Sequence, residues 1–302
     1  MNLLLTGCFK YTSEQFDAIK SLGYQVYYME SEKFDELPLP AEQIDAVVCN
    51  YLFTAQDFGN FRNLKLIQLT SAGLDRVPVE QIRSKGCKLF NARGVYGIPM
   101  AEWAVGRILE HYKHFDQFNS VQQNREWIKD RDIKEINGTK TAIIGAGNIG
   151  QEVAKRLSAF GSEVTGYDVV LGERPYFDKI MHINALSSEV GDYDIVVLTA
   201  PYTKETHHLL SSAILNLLRK DAILVNIARG GLIDTKALID VLTERTDLFA
   251  ALDVFEEEPL TKENVLWSLS NVAVSPHNSF VSNGNNNRMF SVIYSNLKEF
   301  IR

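Results

Sequence analysis

The chain has 302 residues, of which 45% are hydrophobic, enough to form two packed domains of ordinary size. A formal charge of −7 with no polybasic cluster argues against a nucleic-acid or anionic-membrane partner, since both need concentrated Lys and Arg. The first residues, Met1-Asn2-Leu3-Leu4-Leu5-Thr6-Gly7, carry no basic leader, and no apolar run approaches the length of a membrane span, so a cytoplasmic protein is expected.

From Leu3 to Asn91 short apolar runs alternate with amphipathic ones. Leu3–Thr6, Gln25–Met29, Ala46–Cys49, Leu66–Leu69 and Lys88–Asn91 read as strands. Ser13–Leu22, Phe58–Leu64 and Val79–Lys85 carry helical spacing or helix-start residues. Such alternation predicts an open α/β domain with a parallel sheet. No glycine triplet follows its first strand. Its clearest functional feature is the turn Thr70-Ser71-Ala72-Gly73-Leu74-Asp75 after the fourth strand, where small residues leave backbone N–H groups free to meet an anion; an ordinary turn capped by Asp75 is the plainer alternative. Cys8, Cys49 and Cys87 have no metal-ligand rhythm and read as buried small hydrophobes, so no metal site is expected.

Pro99 to Phe118 has apolar residues at helical spacing and predicts one long helix leaving the first domain. The polar stretch Gln122–Glu135, with Trp127 inside it, reads as an arm or loop.

Thr139–Asp168 then reads as strand, glycine turn, helix, strand and acid, the layout of a dinucleotide site. Gly145 permits a tight turn off the strand, Gly147 lets backbone approach a pyrophosphate, and Gly150 lets the helix lie close to the sheet. The helix N-terminus faces the phosphate charge. Asp168 ends the second strand, where a carboxylate accepts hydrogen bonds from the adenosine ribose and repels a 2′-phosphate. NAD is therefore favoured over NADP, although Arg174 lies close by in sequence. Further strands follow at Ile180–Ile183, Asp194–Ala200, Ala222–Ala228, Leu248–Val254 and Val272–Ser275, with helices at Leu209–Leu218 and Thr235–Thr243. Their unbroken apolar runs suit a parallel sheet covered on both faces. The apolar-spaced run Met289–Phe300 is placed back on the first domain, which gives a substrate domain of residues 1–97 and 279–302 and a dinucleotide domain of residues 98–278.

Arg229, Glu258 and His277 all follow strands of the second domain. Arg229, before Gly230-Gly231, offers a planar fork for a carboxylate. Glu258 and His277 pair a carboxylate with an imidazole, and a carboxylate favours the protonated ring that a proton donor to a carbonyl needs. Singly, a solvated Arg, an acidic surface run with Glu256 and Glu257, and a structural His are the plainer readings. Arranged after successive strands of one dinucleotide domain, they supply the anchor and the acid/base group of a hydride-transfer site.

The sequence resembles the NAD-dependent D-2-hydroxyacid dehydrogenase family. The resemblance is most specific in Asn226-Ile-Ala-Arg229-Gly-Gly-Leu-Ile-Asp234, Ala251-Leu-Asp253-Val-Phe-Glu-Glu-Glu258-Pro259-Leu and Ser275-Pro-His277. It implies two doubly wound parallel-sheet domains, a Rossmann NAD-binding domain inserted into a flavodoxin-like substrate domain. It also implies Arg229 on the substrate carboxylate, His277 as acid/base, Glu258 orienting His277, and backbone groups of Ala72 and Gly73 assisting the carboxylate. Asn148 and Ile149 would meet the pyrophosphate and Asp168 the ribose. Ala200 and Pro201 would meet the adenosine side, and Ile227, Ala228 and Asp253 the nicotinamide end. A homodimer through the helix starting near Met100 is implied as well. Ser71 departs from the family's usual first glycine, and Asn278, Ser279 and Phe280 are larger or more polar than the usual residues after the His. Tyr96 reads as packing and Arg93 as solvated. The reading is an enzyme that interconverts a small 2-keto acid and its 2-hydroxy acid with NADH; the alternative from another class is a non-catalytic NAD-sensing interaction protein on the same scaffold.

Overall fold

The computed structural model describes residues 1–74 and 76–301, so the expected capping role of Asp75 lies outside the described residues. The chain divides into two compact units, Met1–Tyr96 together with the segment from Ser282 onward, and Gly97–Val281.

The first unit holds strands β1 (Asn2–Thr6), β2 (Gln25–Met29), β3 (Ala46–Cys49), β4 (Leu66–Leu69) and β5 (Lys88–Phe90), in the order β2-β1-β3-β4-β5. All of its pairings are parallel, the flavodoxin-like order. Successive residues alternate between two buried faces, as the strand period demands. Leu4, Val47 and Ile67 belong to one core, while Leu3, Leu5, Val48 and Leu66 belong to the other. The helix Asn285–Ile301 covers that second face with Met289, Ile293 and Leu297. It is tied there by Tyr24 Oη donating to Leu297 O (2.9 Å) and Asn296 Nδ2 donating to Gln68 Oε1 (2.6 Å). Phe58–Leu64, read as helical from its spacing, forms only a 3-10 turn at Phe58–Asn60, capped by Asp57.

The second unit holds β6 (Lys140–Ile144), β7 (Glu163–Asp168), β8 (Lys179–His182), β9 (Ile195–Leu198), β10 (Ile223–Asn226), β11 (Phe249–Leu252) and β12 (Val272–Val274). Their order is β12-β11-β10-β9-β6-β7-β8, again parallel throughout. The order reverses between β6 and β9, the switch point at which doubly wound sheets bind ligands. β9 and β10 are buried along their full length. The expected single helix Pro99–Phe118 is two helices, Gly97–Tyr112 and Phe115–Gln123. His114 takes a left-handed conformation (φ 51°) between them, and its ring meets Asp130 at 2.6 Å. Residues 124–135 form no regular element, and Trp127 within them is almost fully exposed. Among the described residues no helix is long and apolar enough to cross a membrane.

Candidate active site

The glycine turn leaves β6 at the switch point. Gly145 sits at φ 100°, and a Cβ there would lie 2.5 Å from Ala200 N; a Cβ on Gly150 would lie 2.2 Å from Gly145 O. Both positions therefore exclude any side chain. A Cβ on Gly147 would meet no atom within 4 Å, so this glycine faces open space at the start of the helix Asn148–Ala159. No side chain caps that helix, which leaves its first N–H groups to an external acceptor. Such a turn fits a dinucleotide pyrophosphate, with the backbone of Asn148 and Ile149 at the helix start.

Asp168, at the end of β7, accepts from Ala146 N (3.0 Å) and Arg174 Nη1 (2.9 Å) on one oxygen and from Val170 N (3.1 Å) on the other. Burial alone would push its carboxyl up, but these hydrogen bonds and the Arg174 charge hold it below the usual carboxylate range. Beside it lies a cavity of about 690 Å³ lined by Gly145, Asp168, Ile183, Ala200, Pro201 and Leu209, largely apolar and of a size for an adenosine group. Ile183 and Leu209 were not singled out from the sequence. Their position beyond the ends of β8 and β9 was the available signal.

Arg229, Glu258 and His277 follow β10, β11 and β12, three neighbouring strands. Buried Asn226 shapes the first loop: its Nδ2 donates to Arg229 O (3.0 Å) and its Oδ1 accepts from Ala228 N (3.1 Å). Arg229 Nη1 donates to Ala228 O at 2.7 Å. A Cβ on Gly230 would fall 1.9 Å from Phe255 C, so this loop backs directly onto the one carrying Glu258. Glu258 accepts from Phe255 N through Oε1 (3.0 Å) and meets His277 Nδ1 through Oε2 (2.8 Å). It is therefore not merely part of a solvated acidic run. Glu256 is also engaged, with His208 Nε2 at 2.6 Å and Thr235 N at 2.9 Å.

His277 is held at φ 51°, a conformation that a non-glycine residue keeps only when its surroundings enforce it. The enforcement comes from Asp253. Its backbone O accepts from His277 N (2.8 Å), and its carboxylate accepts from Asn278 N (2.8 Å), Ser279 N (2.9 Å) and the Ser275 hydroxyl. Asp253 is fully buried, and these bonds tie its side chain to the His277 loop. Ile227 and Ala228 are nearly as buried. The His277 ring packs edge-to-face on Phe280 at 5.8 Å.

In the first unit the turn after β4 has its carbonyls engaged. Ser71 O accepts from Ala92 N (2.9 Å), Ala72 O from Asn91 Nδ2 (2.7 Å) and Gly73 O from the Ser71 hydroxyl (2.9 Å). Among the described residues, the N–H groups of Ala72 and Gly73 have no intramolecular acceptor. Tyr96 Oη donates to Thr70 O at 2.5 Å, and Arg93 is exposed. Cys49 and Cys87 are buried. Cys8 is half-buried, its thiol pushed up to about 12 by burial and by the Glu32 charge.

Two parallel α/β units, one with a glycine turn at its switch point and an Arg, Glu and His after three adjacent strands, define a dinucleotide-dependent oxidoreductase scaffold. Residues 105–279 match the family model described as D-isomer specific 2-hydroxyacid dehydrogenase, NAD binding domain, and the chain belongs to that family of dehydrogenases and reductases. A D-3-phosphoglycerate dehydrogenase of Methanocaldococcus jannaschii is 35% identical over 248 residues, covering 79% of this chain and 46% of that protein. This chain thus spans about half the length of that relative. A hydroxypyruvate reductase of Thermotoga maritima is 34% identical over 248 residues, covering 80% of each. The crystal structure of a D-isomer specific 2-hydroxyacid dehydrogenase family protein from Aeromonas salmonicida superposes with a TM-score of 0.81 at 26% identity, covering 99% of this chain and 95% of that one.

Proposed function

We propose that the protein interconverts a small D-2-hydroxy acid and its 2-keto acid with NAD(H). The observation that carries this reading is the Glu258–His277 pair, in which one carboxylate oxygen is fixed by Phe255 N and the other meets His277 Nδ1. With Nδ1 turned to a carboxylate, the hydrogen resides on that nitrogen, and Nε2 is the atom left to exchange a proton with substrate. Bound NADH supplies the hydride. His277 gives a proton from Nε2 to the carbonyl oxygen in reduction and takes it back in oxidation, and Arg229 binds the substrate carboxylate so that the carbonyl is aligned for both transfers. Asn148 and Ile149 bind the pyrophosphate, Asp168 the ribose, and Ala200 and Pro201 the adenosine. Ile227 and Ala228 back the nicotinamide end, with Asp253 contributing through the loop it holds.

The unit beginning at Gly97 serves as the dinucleotide domain, and the other as the substrate domain. In the latter, the N–H groups of Ala72 and Gly73 form an anion-binding turn for a carboxylate. A cytoplasmic homodimer completes the proposal, supported by the resemblance and by the exposed Trp127 and Ile128 in the arm after the helix Phe115–Gln123. A purely NAD-sensing role gives the Glu258–His277 pair no task. The test is NADH consumption with glyoxylate, hydroxypyruvate, pyruvate and longer 2-keto acids. Turnover of at least one is expected, and NADH binding without turnover of any would favour the sensing role.

A further inference from the structure

Asp168 does not stand at the end of β7 as a bare carboxylate. A carboxylate offers about four lone-pair sites. Three are engaged here, by Ala146 N, Val170 N and Arg174 Nη1, so one remains, on Oδ1. A ribose presenting both its 2′- and 3′-hydroxyls needs two. Ala146 and Val170 donate from backbone, so Arg174 is the one donor whose side chain can swing aside. Its guanidinium also donates to Ala146 O (2.6 Å) and Val170 O (2.7 Å), lacing the glycine turn to the end of β7. On its other flank Arg174 lines a cavity of about 650 Å³ with Gly172, Pro175 and Phe177, so there is room for it to reorient.

The same contact alters the electrostatics of the ribose site. An aspartate here discriminates against NADP because its charge repels a 2′-phosphate, and a guanidinium at 2.9 Å largely cancels that charge at the distance of an incoming phosphate. Both side chains of the pair are less than one-fifth exposed, which limits solvent screening.

We propose that Arg174 is the residue that sets the choice between NAD(H) and NADP(H): paired with Asp168 it mutes the rejection of a 2′-phosphate, and its planar fork turns to that phosphate when NADP(H) binds. This rests on the reading that the Asp168 pocket takes the adenosine ribose. Selectivity is then a property of the ion pair, and the site accepts NADPH more readily than a bare aspartate would.

The test is calorimetric titration of NADH, NADPH, 5′-AMP and adenosine 2′,5′-bisphosphate into the wild-type protein and its variants, with each variant's melting temperature as a check on folding. Arg174→Gln should weaken NADPH and the 2′,5′-bisphosphate by about tenfold more than NADH and 5′-AMP. Arg174→Lys keeps the charge but cannot span three acceptors, and should hold the ratio of NADPH to NADH affinity within about threefold of wild type. Asp168→Asn should tighten NADPH by about tenfold when Arg174 is present, and the Asp168→Asn, Arg174→Gln double variant, which lacks the phosphate-binding guanidinium, should bind NADPH more weakly than Asp168→Asn alone. If Arg174→Gln shifts both dinucleotides by the same factor, or Arg174→Lys behaves as Arg174→Gln, Arg174 only holds the loop and the proposal is overturned. If the wild-type protein binds neither NADH nor 5′-AMP, the reading of the pocket itself fails, and the proposal with it.

Discussion

The Oε2 atom of Glu258 lies 2.8 Å from Nδ1 of His277, while Oε1 of the same carboxylate accepts the Phe255 N–H at 3.0 Å. The second bond stops the carboxylate from rotating, so the imidazole faces a fixed acceptor. Glu258→Gln keeps the shape, but once its amide oxygen takes the Phe255 N–H, its NH2 group faces Nδ1. The ring must then adopt the opposite tautomer or turn away. We expect kcat for 2-keto acid reduction to fall by about 10²–10⁴-fold with little change in KM, and His277→Ala to fall at least as far. Steady-state kinetics would decide this, and a Gln variant with wild-type kcat would remove Glu258 from the machinery.

Asn226 Nδ2 holds the backbone carbonyl of Arg229, and Arg229 Nη1 donates to Ala228 O, so both its main chain and its guanidinium are tied to this loop. Arg229→Lys retains charge but loses the planar pair of donors. The expected result is a drop of about 100-fold in kcat/KM for the keto acid, with NADH affinity altered far less. Fluorescence titration of NADH beside the kinetic assay separates the two, and equal losses in both would point to a collapsed loop.

Two glycines of the dinucleotide turn should fail in different ways. Gly150→Ala places a Cβ 2.2 Å from the Gly145 carbonyl oxygen, a backbone atom that cannot yield cheaply, and should cost about 2–3 kcal/mol of stability. Gly147→Ala meets no protein atom within 4 Å, so stability should hold within about 0.5 kcal/mol. Its methyl nevertheless enters the space assigned to the pyrophosphate, and NADH affinity should drop by about tenfold or more. Thermal melts combined with NADH titration test the contrast, which disappears if Gly147→Ala binds normally.

His111 stacks on Phe249 with ring centroids 4.0 Å apart. Burial first, and then repulsion from Lys134 and His114, pushes its pKa down to about 4 from the ordinary 6.5. Between those values the unfolded chain binds a proton that the folded chain refuses. The stabilising contribution is therefore complete above about pH 6.5 and is lost as pH falls toward 4. After discounting for partial exposure, about 1–2 kcal/mol is at stake. Melting temperatures measured from pH 7 to pH 4.5 should fall less steeply for His111→Phe than for wild type, and parallel curves would refute the assignment.

What the sequence determined by itself was mostly local. Apolar runs such as Ile195–Leu198 and Ile223–Asn226 are strands buried along their length, because a parallel sheet covered on both faces leaves no polar side to write into the pattern. Gly145, Gly147, Gly150 and Asp168 were legible because the spacing of one strand–turn–helix–strand unit brings them together within a single stretch of chain. The break at His114 was not legible, since a left-handed residue stabilised by Asp130 interrupts continuous helical spacing without any glycine or proline to mark it. Arg174 likewise read as a nearby cation, and only the folded loop shows it bonded to Asp168 and to two carbonyls. The resemblance placed Asp253 at the nicotinamide end, and only the fold shows its carboxylate also accepting from Ser275, Asn278 and Ser279. Tertiary structure decided these cases for one physical reason. A polar side chain takes the partners that the folded chain brings within hydrogen-bonding range, and for Asp253 those partners lie more than twenty positions away, beyond the reach of any local pattern.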